Sequence, residues 1–323
     1  MSLRPVVRAL LASAATFMFA ACTTAELEPR AGAPGMKTTQ MADVSFQASS
    51  IPSPAARPGT TVSVNGADIF VTDTGGAGEP VVLLHGYPLS GALFERVKDE
   101  LDDDFRVITV DHRGYGKSSL PGEVREVGTY AADALAVLDR LDIGPAHIGG
   151  MSMGGPIVFE MYRRDPSAFA SMILIDTNHK PANAIEKGIW QGTRAALNSG
   201  GVDSIIPFLM PNMLTGQTRL VGAPEQVDYL TSAMNQASLR GALGGTHVLE
   251  NRPDSTATLR TVKVPALVLV GREDTLYPVA ISQAMADALP QGELLVIPGA
   301  AHAAIFERPA ASAAAIAAFL DGI

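Results

Sequence analysis

The chain is poor in the residues that mark several large classes of protein. It has one cysteine, Cys22, so no disulfide can close within it. No His-x-x-x-His or paired-cysteine spacing occurs, so there is no metal site to name. No Gly-x-Gly-x-x-Gly fingerprint occurs either; a bound dinucleotide is not indicated and no cofactor is expected. Lysine and arginine number 24 against 33 aspartates and glutamates, giving a net charge of −9. Without a basic stripe, nucleic acid is excluded as a partner class. There is no internal repeat and no long charge run. What remains, 323 residues at 47% hydrophobic and 18% charged, is the composition of a globular chain. That length suffices for one large domain with a smaller insertion.

The amino terminus reads as an address. Arg4 and Arg8 precede an uncharged apolar run from Ala9 to Ala21, 13 residues long. A spanning helix needs roughly 20. A basic start, a short apolar centre and small residues at the end make residues 1–21 a secretory signal peptide. The segment Phe19-Ala20-Ala21-Cys22 resembles a bacterial lipobox, which implies lipidation of Cys22; Phe19 departs from it where the pattern prefers leucine. Thr23 stands where aspartate would imply inner-membrane retention, so the expected location is the outer membrane, facing the periplasm. Release as a soluble periplasmic or secreted protein is the alternative. Residues 22–59, rich in Ala, Pro, Ser, Thr and Gly, read as a flexible tether. The membrane is expected as a partner only through that lipid anchor, and the sequence carries no signal of oligomeric state.

From residue 60 the pattern alternates. Thr61–Val64 and Asp68–Thr72 read as two strands joined at Asn65-Gly66. Apolar, β-branched runs at Glu79–Leu84, Arg106–Val110, Ser171–Ile175, Ala266–Val270 and Glu293–Ile297 read as buried strands. Helical spacing separates them at Tyr130–Leu141, Pro156–Arg164 and Val279–Leu289, and a helix over Ala310–Leu320 closes the chain. The alternation breaks over residues 178–259, which carry helical patterns and no clear strand. The chain therefore reads as an α/β fold, a mostly parallel doubly wound sheet (residues 60–177 and 260–323) with a helical cap insertion (178–259).

Residues 150–154 spell Gly150-Met151-Ser152-Met153-Gly154, between a strand and a helix. The pentapeptide alone is also a common chance string. In a strand–turn–helix context it is a nucleophile elbow. A serine hydroxyl needs an imidazole to take its proton and a carboxylate to orient that imidazole. His302, among small neighbours in the loop after the last strand, fits the base. Asp274, past the preceding strand, fits the acid; Asp176 and Glu273 compete for that role. Ser152, Tyr87, Asp274 and His302 all fall just past strand ends, where sites in such sheets lie. The N–H groups of Met153 and Tyr87 are the expected oxyanion donors. Asp111 and Arg113 are expected to fix a turn, and His85 to brace its loop.

From about Val62 onward the chain resembles the α/β-hydrolase superfamily, through His85-Gly86-Tyr87-Pro88, Asp111 to Ser118, the Ser152 pentapeptide, Gly271-Arg272-Glu273-Asp274 and His302 with Glu307-Arg308-Pro309. Within it the chain looks most like small capped carboxylesterases and enol-lactonase-like hydrolases. The resemblance implies an acyl-enzyme hydrolase of small to medium carboxylic esters or lactones. C–C hydrolases and perhydrolases share the same residues and stay open. A binding or envelope role without catalysis is the reading of another class. Trp190, Phe208, Met210, Met213, Leu214 and Met234 are candidates for the pocket wall contributed by the cap.

Overall fold

The computed structural model describes residues 57–323. The expected signal peptide, Cys22 and the expected tether up to residue 56 lie outside the described residues. Eight strands form one sheet: β1 (Thr60–Val64), β2 (Ala67–Asp73), β3 (Glu79–Leu84), β4 (Phe105–Val110), β5 (Ala146–Met151), β6 (Phe169–Ile175), β7 (Ala266–Gly271) and β8 (Gly292–Ile297). Their spatial order is β1-β2-β4-β3-β5-β6-β7-β8. The first two join antiparallel at the edge, and β3 to β8 run parallel. The helices are α1 (Glu95–Leu101), α2 (Val127–Arg140), α3 (Gly154–Arg164), α4 (Ala184–Gly200), α5 (Ile206–Met213), α6 (Pro224–Met234), α7 (Leu239–Glu250), α8 (Thr256–Leu259), α9 (Val279–Ala288), α10 (Ala304–Glu307) and α11 (Pro309–Leu320). This is the mostly parallel, doubly wound sheet expected from the alternation, with α4 to α8 inserted between β6 and β7.

The continuous apolar strands follow from burial on both faces. Val82 and Leu84 of β3 enter one core cluster while Val81 and Leu83 enter the other; Val268 and Leu267 divide in the same way on β7. Successive side chains of a strand point to opposite faces, so no position between helical layers can be polar without a partner.

The register sets the site. Leu84 pairs with Gly150, Met151 with Ile175, Ile175 with Leu269, and Gly271 with Ile297. The carboxyl ends of β3, β5, β6, β7 and β8 are therefore level. After β3 the chain goes to β4 on one side and then to β5 on the other. The crevice at this reversal lies beyond β3 and β5, which carry Tyr87 and Ser152.

Two features differ from the sequence reading. Helix α1 was not anticipated: ERVKDEL is short and charged, and Glu95 and Lys98 are buried by pairing with each other (2.7 Å). Arg57, assigned to the tether, is 2% exposed. Its guanidinium reaches Asp111 at 2.5 Å and Thr109 at 3.3 Å, so the packed core extends to Arg57. Asp111 also accepts the amides of Gly91 and Lys117. This carboxylate thus fixes the turn after β4, and Arg113 pairs with Asp133 beside it. Removing the cation leaves a buried charge without compensation. Arg57→Met is expected to lower the unfolding free energy by about 3–5 kcal/mol. A denaturant midpoint equal to wild type would show that Arg57 does not hold the core.

Candidate active site

Ser152 follows β5 with φ +52°, in the left-handed region that residues with a Cβ rarely enter. The turn is held from several sides. The Ser152 amide donates to Ile175 O at 3.0 Å, and its carbonyl accepts from Thr177 Oγ1 at 2.6 Å and from the Gly155 amide at 3.0 Å. A Cβ at Gly150 would lie 2.3 Å from the Gly154 carbonyl, and one at Gly154 would lie 2.3 Å from that of Leu84. Both elbow glycines are therefore required by backbone contacts, as the pentapeptide implies.

His302 Nε2 lies 2.9 Å from Ser152 Oγ, and His302 Nδ1 lies 2.8 Å from Asp274 Oδ2. The other Asp274 oxygen accepts the amides of Leu276 and Tyr277. A carboxylate can only accept, so Nδ1 carries the imidazole proton and Nε2 is free to accept from the serine hydroxyl. Asp274 is 3% exposed and His302 1%, with the edge of the Tyr277 ring against the imidazole. The geometry also separates the competing acids. Glu273 takes the Ala300 amide. Asp176, wholly buried, accepts from Gly271 N (2.7 Å) and Ala304 N (3.1 Å) and makes no hydrogen bond to His302 among the described residues. Burial, and then the nearby Asp274, push the Asp176 carboxyl well above the usual range.

Gly86 packs against Ser152: a Cβ there would lie 2.9 Å from that of the serine. This sets the start of the Tyr87 loop beside the serine. Neither the Tyr87 nor the Met153 amide donates to a backbone carbonyl among the described residues. His85 is buried and accepts the His112 amide on Nε2 at 3.0 Å, which leaves Nδ1–H to donate to Gly86 O at 2.8 Å. Burial pushes its pKa down to about 3, so it stays neutral and braces this loop.

The insertion is fastened to the histidine loop. The carbonyls of Asn212 and Met213, at the end of α5, accept the amides of His302 (3.2 Å) and Ala303 (2.9 Å). Glu307, fully buried, accepts Thr215 N (2.9 Å) and Thr215 Oγ1 (2.6 Å) on one oxygen and Ala301 N (2.8 Å) on the other. Sequence reasoning missed this role; the only signal was Glu307's place behind His302.

Of the proposed pocket residues, Met210, Met213, Leu214 and Met234 are buried in one cluster with Met151 and Ala303, the neighbours of nucleophile and base. Trp190 stands edge-on to Tyr87, ring centres 5.6 Å apart. Phe208 is 39% exposed and does not join that cluster. Ile206, Met210 and Met213 share the inward face of α5, and Phe208, two residues after Ile206, falls on the other.

The chain belongs to the α/β-hydrolase family, whose fold description matches residues 79–309. It is 30% identical over 247 residues to the AB hydrolase superfamily protein YisY of Bacillus subtilis, covering 74% of this chain and 90% of that one. A bifunctional esterase/perhydrolase of Acinetobacter calcoaceticus is 28% identical, covering 76% and 92%. Among solved structures, a thermophilic esterase of Thermogutta terrifontis superposes with a TM-score of 0.76 at 32% identity, covering 82% and 97%.

Glu307→Gln tests the tie between insertion and site. In either orientation its amide group faces a backbone N–H. The expected loss is about 1–3 kcal/mol of unfolding free energy, read from the urea midpoint. No change would mean that the two segments hold their places without the carboxylate.

Proposed function

We propose that the protein is a serine carboxylesterase acting on small to medium esters through an acyl-enzyme. The observation that carries this reading is the continuous chain from Ser152 Oγ through both nitrogens of His302 to Asp274. In the first half-reaction Ser152 Oγ attacks the ester carbonyl carbon as its proton passes to His302 Nε2. The oxyanion forms between the amides of Tyr87 and Met153. Its collapse breaks the bond to the alkoxy oxygen, which takes the proton from His302 and leaves as the alcohol. Water then loses a proton to His302 and attacks the acyl group; the second collapse returns the proton to Ser152 and frees the acid. Asp274 holds the imidazole in the required tautomer throughout.

The Thermogutta terrifontis and Acinetobacter calcoaceticus proteins, both named for esterase activity, support water as acceptor and an ester as donor. The second is also named a perhydrolase, so transfer to peroxide is the runner-up on the same residues.

Hydrolysis of p-nitrophenyl esters across acyl lengths tests the reading. Ser152→Ala is expected to lose on the order of 10⁶ in kcat, and Asp274→Asn about 10⁴ through the wrong tautomer. Ester turnover that survives Ser152→Ala would end the acyl-enzyme reading. Retained labelling of Ser152 by a phosphonate, with no ester turned over, would redirect it to lactones or C–C bonds.

Export and lipid anchoring at Cys22 belong to the same proposal and rest on the amino-terminal sequence. Cys22→Ala is expected to move the protein from the membrane fraction to the soluble one. Undiminished membrane association would refute the lipid anchor.

A further inference from the structure

Tyr87 has two polar groups with different fates. Its amide is the proposed oxyanion donor, and its side chain, 3% exposed, lies in a nest of aromatic rings. Tyr115 stands edge-on at 6.4 Å and Trp190 at 5.6 Å between ring centres. A Cβ on Gly245 of α7 would lie 2.6 Å from the Tyr87 ring, so the insertion presses directly onto it. In the same nest Tyr115 Oη donates to Gly241 O at 2.9 Å, while Tyr130 Oη beside it is buried with no hydrogen-bond partner among the described residues. Tyr87 Oη and Trp190 Nε1 are buried and have no hydrogen-bond partner among the described residues.

Two buried donors left open on contacting rings destabilise the fold, and phenylalanine would fill the same space without that cost. Burial pushes the Tyr87 phenol up, so it stays protonated and able to donate. Trp190 Nε1 can only donate. The two groups come from different parts of the chain, the oxyanion loop and α4 of the insertion. A substrate whose carbonyl oxygen is bound by the Tyr87 amide has the substituents of its carbonyl carbon close to the same residue.

We propose that Tyr87 Oη and Trp190 Nε1 form a recognition element that donates to an oxygen atom on the substrate's acyl chain, selecting alkoxy-, keto- or hydroxy-acyl groups over plain alkyl ones. This rests on the serine-esterase reading and deepens it. A site built to hydrogen-bond a substrate atom disfavours the analogue that lacks it, because its own buried groups are then left unpaired.

The test uses isosteric substrates: p-nitrophenyl 3-methoxypropanoate against pentanoate, and 4-methoxybutanoate against hexanoate. The readout is the ratio of kcat/KM for ether over alkyl in wild type, Tyr87→Phe and Trp190→Phe. Intrinsic reactivity cancels when the ratios are compared between proteins. Tyr87→Phe keeps ring and backbone amide. The ratio is expected to fall about fivefold in each variant. Tyr87→Phe is also expected to raise the thermal midpoint, since an unpaired buried hydroxyl is removed. Equal ratios in the three proteins would overturn the proposal, as would a lower midpoint in Tyr87→Phe, which would mean that the hydroxyl is already paired inside the protein. Ser152→Ala run beside them keeps the two readings apart. Turnover surviving in Ser152→Ala refutes the esterase reading, whereas turnover lost there with unchanged ratios refutes the recognition element alone. If neither ester turns over, the same ratio is read from the rates at which matched 2-methoxyethyl- and butyl-phosphonates label Ser152.

Discussion

A residue with a side chain is held at φ +52° at the centre of this molecule, and much of the structure follows from that turn. The left-handed conformation costs roughly 1–2 kcal/mol for an L-residue. It persists because the amide and carbonyl of Ser152 are both bonded to the β6 end, through Ile175 O and Thr177 Oγ1. Asp176, between those two residues, is itself at φ +44°. Two adjacent strand ends thus turn sharply at the same level, and each makes the other's turn possible. The close approach requires glycine at 86, 150, 154 and 155, where a Cβ would come within 3.0 Å of a neighbour. One projecting hydroxyl thereby fixes side chains far apart in the sequence.

Buried carboxylates hold the loops around that hydroxyl. Asp111 binds the amides of Gly91 and Lys117, Asp176 those of Gly271 and Ala304, Asp274 those of Leu276 and Tyr277, and Glu307 those of Thr215 and Ala301. Charged acceptors make stronger hydrogen bonds to backbone N–H than neutral ones do. They suit loops that have no ladder of their own. Arg57 pairs with the first of the four; burial, and then the nearby Asp274, push Asp176 toward its neutral form. Asp274 has a hydrogen bond the others lack, from an imidazole, and its orientation follows from both amides being on its far oxygen.

The sheet, its longer helices and the hydrogen-bonded serine, histidine and aspartate were legible in the sequence because their signals are local. A β-branched apolar run is a strand wherever it sits, and the elbow's glycines lie within two residues of the serine. The parts that were not legible depend on partners distant in sequence. Nothing near Arg57 announces Asp111, 54 residues away. Nothing near Glu307 announces Thr215, 92 residues away. Helix α5, IPFLMPNM, is apolar on nearly every side, so its composition could not tell Phe208 from Met210. Asp274 was preferred over Asp176 and Glu273 from chain order, although each follows a strand end; the three-dimensional positions of the loop amides show which carboxylate is left for the histidine.

The fastening of the insertion has a mechanical consequence. The amides of His302 and Ala303 are bonded to α5 carbonyls, and Glu307 ties the next residue of the insertion loop to Ala301. Residues 212–215 therefore cannot swing away from the sheet without taking hydrogen bonds from the histidine loop itself. A substrate that entered by displacing this segment would disorder the base it needs. The side of the insertion facing Tyr87 is bound differently, through the edge-on contact of Trp190 and the packing of Gly245 on the ring. Apolar contacts of this kind are non-directional and re-form after small displacements, whereas a buried carboxylate that loses its amide donors bears the full desolvation cost. The two edges of the same insertion are thus held differently: one by hydrogen bonds to the histidine loop, the other by apolar packing on the Tyr87 ring.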